Sequence, residues 1–298
     1  MAPGPAIQEA LVSADTGSAR SFAVVTDSTA DIPTAMAAER GIICVPLTVS
    51  FGAENFPDGQ LTQQQFFDRM NAAPALPTTS QPSVGAFVEA YERALAMAEE
   101  VVSVHISEKL SGTIESARTA AEQFAGKVHV FDSRNLSWGL AFQVMEVVSA
   151  AAEGLSTAAA IERAETVRDR VRLIVGLDSL DNLAKGGRIG RVSAFLGSFL
   201  NLKVTLTVDT DGAFEPVART RGEKAALQHT LDWVASHMGD AKRGAFAVGH
   251  ALSEARAHQL AAAIRERFDV SELVVYETGS VIATHTGTGW GVAFVPEA

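Results

Sequence analysis

Residues 101–115 constrain the fold more than any other stretch. Val101-Val102-Ser103-Val104-His105-Ile106 is an apolar, β-branched run of strand length. A helix opens shortly after it, because Ile114, Ala117, Ala121 and Phe124 recur at helical spacing. Between the two lies Leu110-Ser111-Gly112-Thr113, small hydroxyls flanking a glycine where strand turns into helix. The first turn of a helix carries backbone N–H groups without intrahelical partners, and a partial positive charge gathers there. Ser111 can cap that helix, or it can share those donors with an anionic ligand. A reciprocal capping box needs Glu or Gln three residues after the cap. That position is Ile114, and Glu115 stands one place late.

The same alternation runs through the first half of the chain. Residues 22–26 read as a strand ending in the turn and capping cluster Asp27-Ser28-Thr29-Ala30-Asp31-Ile32-Pro33. Next come a helix over 34–40, a strand over 42–49 and a helix starting near Thr62. The segment 73–83 carries three prolines and reads as an irregular loop containing Thr78-Thr79-Ser80. An amphipathic helix over 84–99 buries Phe87, Tyr91, Leu95 and Ala98. After the 101–125 unit come a strand at 128–131 and a long helix at about 136–153. This order implies a parallel sheet covered on both faces, with ligands outside the carboxyl ends of its strands. The loops after Thr26, Ile106 and Phe131 share that edge.

A charged helix over 157–170 leads into a half of different texture. Strands at 171–175, 203–208, 213–219, 244–250 and 271–277 alternate with helices at 177–183, 192–200, 222–238 and 253–268. Asp209-Thr210-Asp211-Gly212 is a hairpin signal, so this half holds a mixed sheet. A glycine-rich segment, 282–295, closes the chain. The expected fold is therefore α/β with two domains: an α/β/α parallel-sheet domain at 21–170 and a two-layer α/β domain with a mixed sheet at 171–298. Residues 1–20 read as a flexible tail without the pattern of a secretory signal. No linker separates the halves, so they should pack tightly.

Composition excludes several functions. A net charge of −11 argues against binding a phosphate backbone as the main activity. No apolar run approaches the ~20 residues of a membrane helix, so no stable membrane insertion and a cytoplasmic location are expected. Cys44, the single cysteine, lies in an apolar run and reads as a buried core thiol. His105 reads as a satisfied core histidine, and Asp27 and Asp31 as turn-formers. Gly186-Gly187-Arg188 lacks the lysine and threonine of a nucleotide-binding loop. No cysteine–histidine cluster suggests a metal. Ser111 with His285 as base would be the pair for an acyl hydrolase, but Leu110-Ser111-Gly112 is not a Gly-x-Ser-x-Gly elbow.

Seven short stretches, in order, resemble the DegV family of fatty-acid-binding proteins. They are Thr26-Asp27-Ser28-Thr29-Ala30-Asp31-Ile32-Pro33, Thr79-Ser80-Gln81-Pro82, Leu110-Ser111-Gly112-Thr113, Asp132-Ser133 with Ser137 and Gly139, Gly186-Gly187-Arg188-Ile189, Arg221-Gly222 before Lys224, and His285-Thr286-Gly287. In one place the chain departs from the family: Thr288 stands where a proline usually succeeds His-Thr-Gly. The resemblance implies a long-chain fatty acid buried between the domains. Its carboxylate would be held by Thr79 and Ser111, with Ser80, Gly112, Thr113 and His285 around it. It further implies the fatty-acid-binding subunit of a bacterial fatty acid kinase, which is not itself an enzyme and needs no cofactor beyond its lipid. The partners would be the kinase subunit and an acyltransferase receiving the acyl-phosphate, with no nucleic acid. Arg188 and Arg221 would meet phosphate or partner. A serine-dependent acyl hydrolase and a lipid-sensing regulator are the alternatives.

Physical chemistry divides the labour within such a site. Burying a methylene is worth ~0.8 kcal/mol, so roughly fourteen of them offer on the order of 10 kcal/mol before ordering costs. A hydrogen bond to a charged group adds only ~1.5–3 kcal/mol. The tail supplies affinity; the hydroxyls choose which end faces out.

Overall fold

The computed structural model describes residues 21–195 and 202–297. The expected tail at 1–20 and the latter part of the expected 192–200 helix lie outside the described residues. The first half contains β1 (Ala23–Asp27), α1 (Thr34–Glu39), β2 (Ile42–Val45), β3 (Thr48–Phe51), β4 (Glu54–Pro57), α2 (Gln63–Ala72) and β5 (Thr78–Ser80). It continues with α3 (Val84–Leu95), β6 (Val101–His105), α4 (Thr113–Ala121), β7 (Val128–Asp132), α5 (Ser137–Ala152) and α6 (Thr157–Arg170). Strands β2-β1-β6-β7 form a four-stranded sheet in which every pairing is parallel. Their carboxyl ends therefore meet at one edge, as the strand–helix alternation requires.

Two parts of this half differ from the sequence reading. The single strand expected over 42–49 is two strands, broken at Pro46, which has no N–H to donate to a ladder. There the chain leaves the parallel sheet, and Leu47 N–H donates to Ser28 Oγ instead (3.1 Å). Beyond the break, β3 pairs antiparallel with β4 and with β5, in a small sheet of order β4-β3-β5. The segment read as loop thus contains a short strand, which puts Thr79 opposite Val49. A three-residue strand between prolines has no period of its own; only pairing with β3 defines it.

The second half contains β8 (Arg172–Leu177), α7 (Asp181–Lys185), β9 (Leu202–Val208), β10 (Phe214–Arg221), α8 (Glu223–His237) and β11 (Arg243–Ala251). It ends with α9 (Glu254–Arg267), β12 (Asp269–Glu277), α10 (Ser280–Thr286) and β13 (Gly289–Glu297). Its six strands run β10-β9-β8-β13-β11-β12, antiparallel except for the β11–β12 pair, so the sheet is mixed as expected. The β9–β10 hairpin turns at Asp209–Gly212, where Gly212 takes φ +90° and Asp209 N–H donates to Ala213 O (2.9 Å). The closing segment, read as one glycine-rich stretch, is a seven-residue helix and then a nine-residue strand.

Helix α5 lies between the two sheets, buried on nearly every side. A single apolar cluster joins Val24, Val104 and Leu140 of the first half to Leu173, Leu206, Ile282 and Ala293 of the second. The halves share a core, which is the tight packing the missing linker suggested. Along β13 the two faces differ. Trp290, Val292 and Phe294 pack in a separate cluster with α8 and α9. The alternate positions Gly289, Gly291 and Ala293 face the first half and are small.

Candidate functional site

The shared carboxyl edge of the first sheet is fixed by buried polar groups. Asp27 accepts the backbone N–H groups of Thr29 and Ile106 (both 3.0 Å) and lies 3.0 Å from His105 Nδ1. His105 Nε2 lies 2.6 Å from Ser103 Oγ, so both ring nitrogens are partnered in the core. Asp27 and Asp31 are more than turn-formers: both are buried and reach across elements. Asp31, at φ +54°, accepts the Ser137 hydroxyl (2.5 Å) and the Gly279 N–H (2.8 Å), tying the first half to the entry of α10. Burial, only partly relieved by Ser137 and Gly279, pushes the Asp31 carboxyl up to about 8. Asp58 is also pushed up by burial, and it accepts the Val281 N–H (3.2 Å). Cys44 departs from the sequence reading. Its place in β2 is exposed, on an open cleft that also holds Asp31 and Asp58. Atoms crowding the thiol, and the carboxylates of Asp27, Asp58 and Asp31, push it up to about 12, so it stays protonated at neutral pH.

Above this edge lies a narrow cavity lined by Thr79, Ser111, Arg188 and His285 together with apolar Leu47, Ile106, Leu110 and Val281. Leu136, Phe214, Ile282 and Thr286 line this cavity and also a second narrow one, so the two adjoin. The inner cavity runs between the sheets, walled by Leu173, Val175 and Leu177 of β8, Tyr276, and Gly289 and Gly291 of β13. The small face of β13 leaves that space open. An outer, polar cleft meets the first cavity at Leu110, Ser111, Arg188 and Phe214, and it adds Lys109, Gly112 and Arg191.

Hydrogen bonding sorts the polar residues into two ranks. Ser111 Oγ accepts the Thr113 N–H (3.3 Å) and lies 2.8 Å from Thr113 Oγ1. With Thr113 as donor in both, the Ser111 proton is left to point into the cavity. Thr113 itself is fully buried and acts from behind. His285 Nε2 lies 2.7 Å from Thr79 Oγ1, while its buried Nδ1 has no partner. Burial first, then the Arg188 charge, lowers the imidazole to about 4, so it is neutral at pH 7. A neutral ring that leaves only a lone pair unpartnered carries its proton on Nε2 and donates it to Thr79. The Thr79 proton is then also free to face an anion. Ser111 makes no hydrogen bond to His285, so the serine–base pair of a hydrolase is not formed.

Glycines hold these side chains where they are. A Cβ on Gly112 would come within 2.3 Å of Gln81 Oε1, and Gln81 reaches on to Ser116 Oγ (3.1 Å), which docks the Thr79 loop against the Ser111 turn. A Cβ on Gly186 would come within 2.3 Å of His285 Nδ1. Arg188 is exposed at the mouth, its guanidinium donating to Gly186 O (2.8 Å) and Leu110 O (3.4 Å). The replacement of proline by threonine at 288 is also accounted for. The Thr288 hydroxyl donates to Asp178 (2.7 Å), which also binds Lys203 (2.6 Å) and Arg256 (2.9 Å).

The structure thus brings together Thr79, Ser111, Gly112, Thr113, Arg188 and His285. It does not bring in the other two. Ser80 alternates to the exposed face of β5. Arg221 ends β10 seven residues beyond Phe214, roughly 23 Å along an extended strand. The apolar wall residues Leu136, Phe214 and Ile282 do not stand out in the sequence, because each belongs to a different element and none carries a motif.

Comparison with known proteins agrees with this architecture. A family profile described as "Uncharacterised protein, DegV family" matches residues 21–297. A DegV domain-containing protein of Deinococcus radiodurans is 39% identical over 285 residues, covering 93% of this chain and 99% of its own. Among solved structures, a DegV family protein from Thermus thermophilus, described for its fatty acid binding, superposes with a TM-score of 0.86 at 35% identity, over 92% of this chain and 99% of that one. DegV of Bacillus subtilis, described as a fatty acid binding protein, gives 0.84 at 30% identity, over 93% and 100%. With a profile spanning every described element and relatives matched nearly end to end, this chain belongs to the DegV family.

Proposed function

We propose that this protein binds a long-chain fatty acid, carboxylate at Thr79 and Ser111 and tail in the chamber between the sheets. On this reading it presents the carboxylate to a partner kinase subunit and carries the resulting acyl-phosphate to an acyltransferase. One observation carries the binding step: an apolar space between the halves ends beneath two hydroxyls, one bonded within the protein to Thr113 alone and the other to His285 alone. Relatives of known structure that bind fatty acids support it. Neutral donors suit a carboxylate that must later react, since an arginine clamp would stabilise the ground state as well. Arg188, exposed at the mouth beside the outer cleft with Lys109 and Arg191, would on this reading meet the incoming phosphate.

Native mass spectrometry of the purified protein tests the binding step: a retained adduct of fatty-acid mass, one per chain, is expected. The transfer step is tested by adding a fatty acid kinase subunit with ATP and trapping acyl-phosphate with hydroxylamine. Absence of both an adduct and titratable fatty-acid binding would overturn the reading. Binding without any trapped product would leave a lipid-sensing regulator.

A further inference from the structure

Tyr276 stands where two separate spaces nearly meet. It lines the inner chamber, and with Thr278 it also lines the wide cleft that holds Asp31, Asp58 and Cys44. Tyr276 and Thr278 thus belong to the walls of both chamber and cleft. Tyr276 is 6% exposed, and its position is fixed from several directions. The ring tilts against Trp138 at 5.7 Å between centroids. On another side it presses on Gly249, where a Cβ would come within 2.4 Å of Tyr276 Cζ.

A tyrosine hydroxyl in the wall of an apolar chamber needs a partner. Tyr276 Oη lies 2.7 Å from Ser137 Oγ, and Ser137 in turn donates to Asp31 (2.5 Å). Ser137 holds φ +51°, a conformation that residues with a Cβ keep only where their surroundings impose it. The three-residue chain reaches from the second half of the molecule to the first and ends on the carboxyl that also grips Gly279.

We propose that Tyr276, latched through Ser137 to Asp31, is the stop at the tail end of the chamber and sets the longest acyl chain the protein takes. The proposal rests on the fatty-acid reading above. Without the ring, the chamber opens into the cleft and a longer tail can pass through.

The test is calorimetric titration of saturated fatty acids of increasing length into lipid-stripped wild type, Tyr276→Ala and Tyr276→Phe. In wild type, affinity rises with length to a limit and then drops about tenfold for two more carbons. Tyr276→Ala should move that limit by two carbons or more while shorter acids bind within a few-fold of wild type. Tyr276→Phe keeps the ring and should keep the limit. An unmoved limit in Tyr276→Ala overturns the proposal. Wild type that binds acids of no length overturns the fatty-acid reading instead. Should Tyr276→Ala not fold, wild type loaded with an acid of limiting length bearing a terminal diazirine gives the answer. Photoadducts on Ser137, Tyr276 or Thr278 support the stop; adducts only elsewhere overturn it.

Discussion

The two ends of the space between the sheets are built on opposite principles. At the mouth, hydroxyls and an imidazole converge from β5, the turn before α4, and α10, and glycines let them come close. In the inner chamber one face of β13 is reduced to glycine and alanine, and the space is bounded by aliphatic and aromatic side chains. The mouth is made by adding polar groups and saturating one side of each. The chamber is made by leaving side chains out. A directional, few-atom interaction must be positioned to fractions of an ångström, whereas apolar affinity scales with area and needs only room.

The difference is broken most severely by filling the chamber. A Cβ on Gly291 meets nothing nearer than 3.7 Å, so Gly291→Leu can be accommodated in β13 and project into the space. Excluding four to five methylenes at ~0.8 kcal/mol each lowers long-chain affinity by roughly three orders of magnitude. An eight-carbon acid should bind nearly as before. Equal loss for both lengths in a titration series would mean that the tail does not enter along β13.

At the other end, Thr79→Ala with Ser111→Ala removes two hydrogen bonds to a charged group and should weaken binding at least ~100-fold at every chain length. Chain-length preference stays the same, and so does the melting temperature to within a few degrees. Unchanged affinity would remove both residues from the site.

The ends should also titrate with opposite sign. Asp31 is raised to about 8. The folded state therefore holds a proton that the unfolded state has released, and stability falls as pH rises from about 4 to 8. The loss is on the order of 5 kcal/mol. His285 is lowered to about 4. Here the unfolded state binds the proton first, so stability is intact above about 6.5 and falls by about 3 kcal/mol as pH drops toward 4. Urea denaturation across pH 4–8 checks both: the two slopes oppose each other between about 4 and 6.5, so His285→Gln should expose a fall in stability with rising pH there, and Asp31→Asn should leave a rise below 6.5 and flatten the fall above it. Parallel curves for wild type and variants would contradict these assignments.

The smallest effect is expected from Gly186→Ala. Its methyl pushes the imidazole away from Thr79, so affinity should fall about ten-fold with the fold retained. In the Thr79→Ala background the same change should have almost no effect, since the two act through one hydrogen bond. Additive losses measured in that cycle would place His285 outside the Thr79 pair.

Much of this molecule can be read from local pattern. The parallel sheet is announced by β-branched runs alternating with helical spacing, and the hairpin by Asp-Thr-Asp-Gly; both are short-range signals. Thr79, Ser111, Arg188 and His285 are legible because each sits in a short recognisable motif. Ser80 and Arg221 share motifs of the same kind, yet strand alternation and strand length carry both away from the mouth. Cys44 is misread for a related reason. Hydrophobic neighbours show that a segment is a strand, but they do not show which of its residues borders a cleft.

The sequence by itself determined the strand–helix alternation of the parallel sheet, the mixed character of the second sheet and the residue types available at the mouth. It could do so because these depend on neighbours a few positions apart. The tertiary structure alone decided that β5 exists, that Thr113 and His285 stand behind the hydroxyls, and that Tyr276 reaches Asp31 through Ser137. Each of these is a contact between segments distant in the chain or a matter of which side chain faces inward, and neither leaves a periodic trace in the sequence.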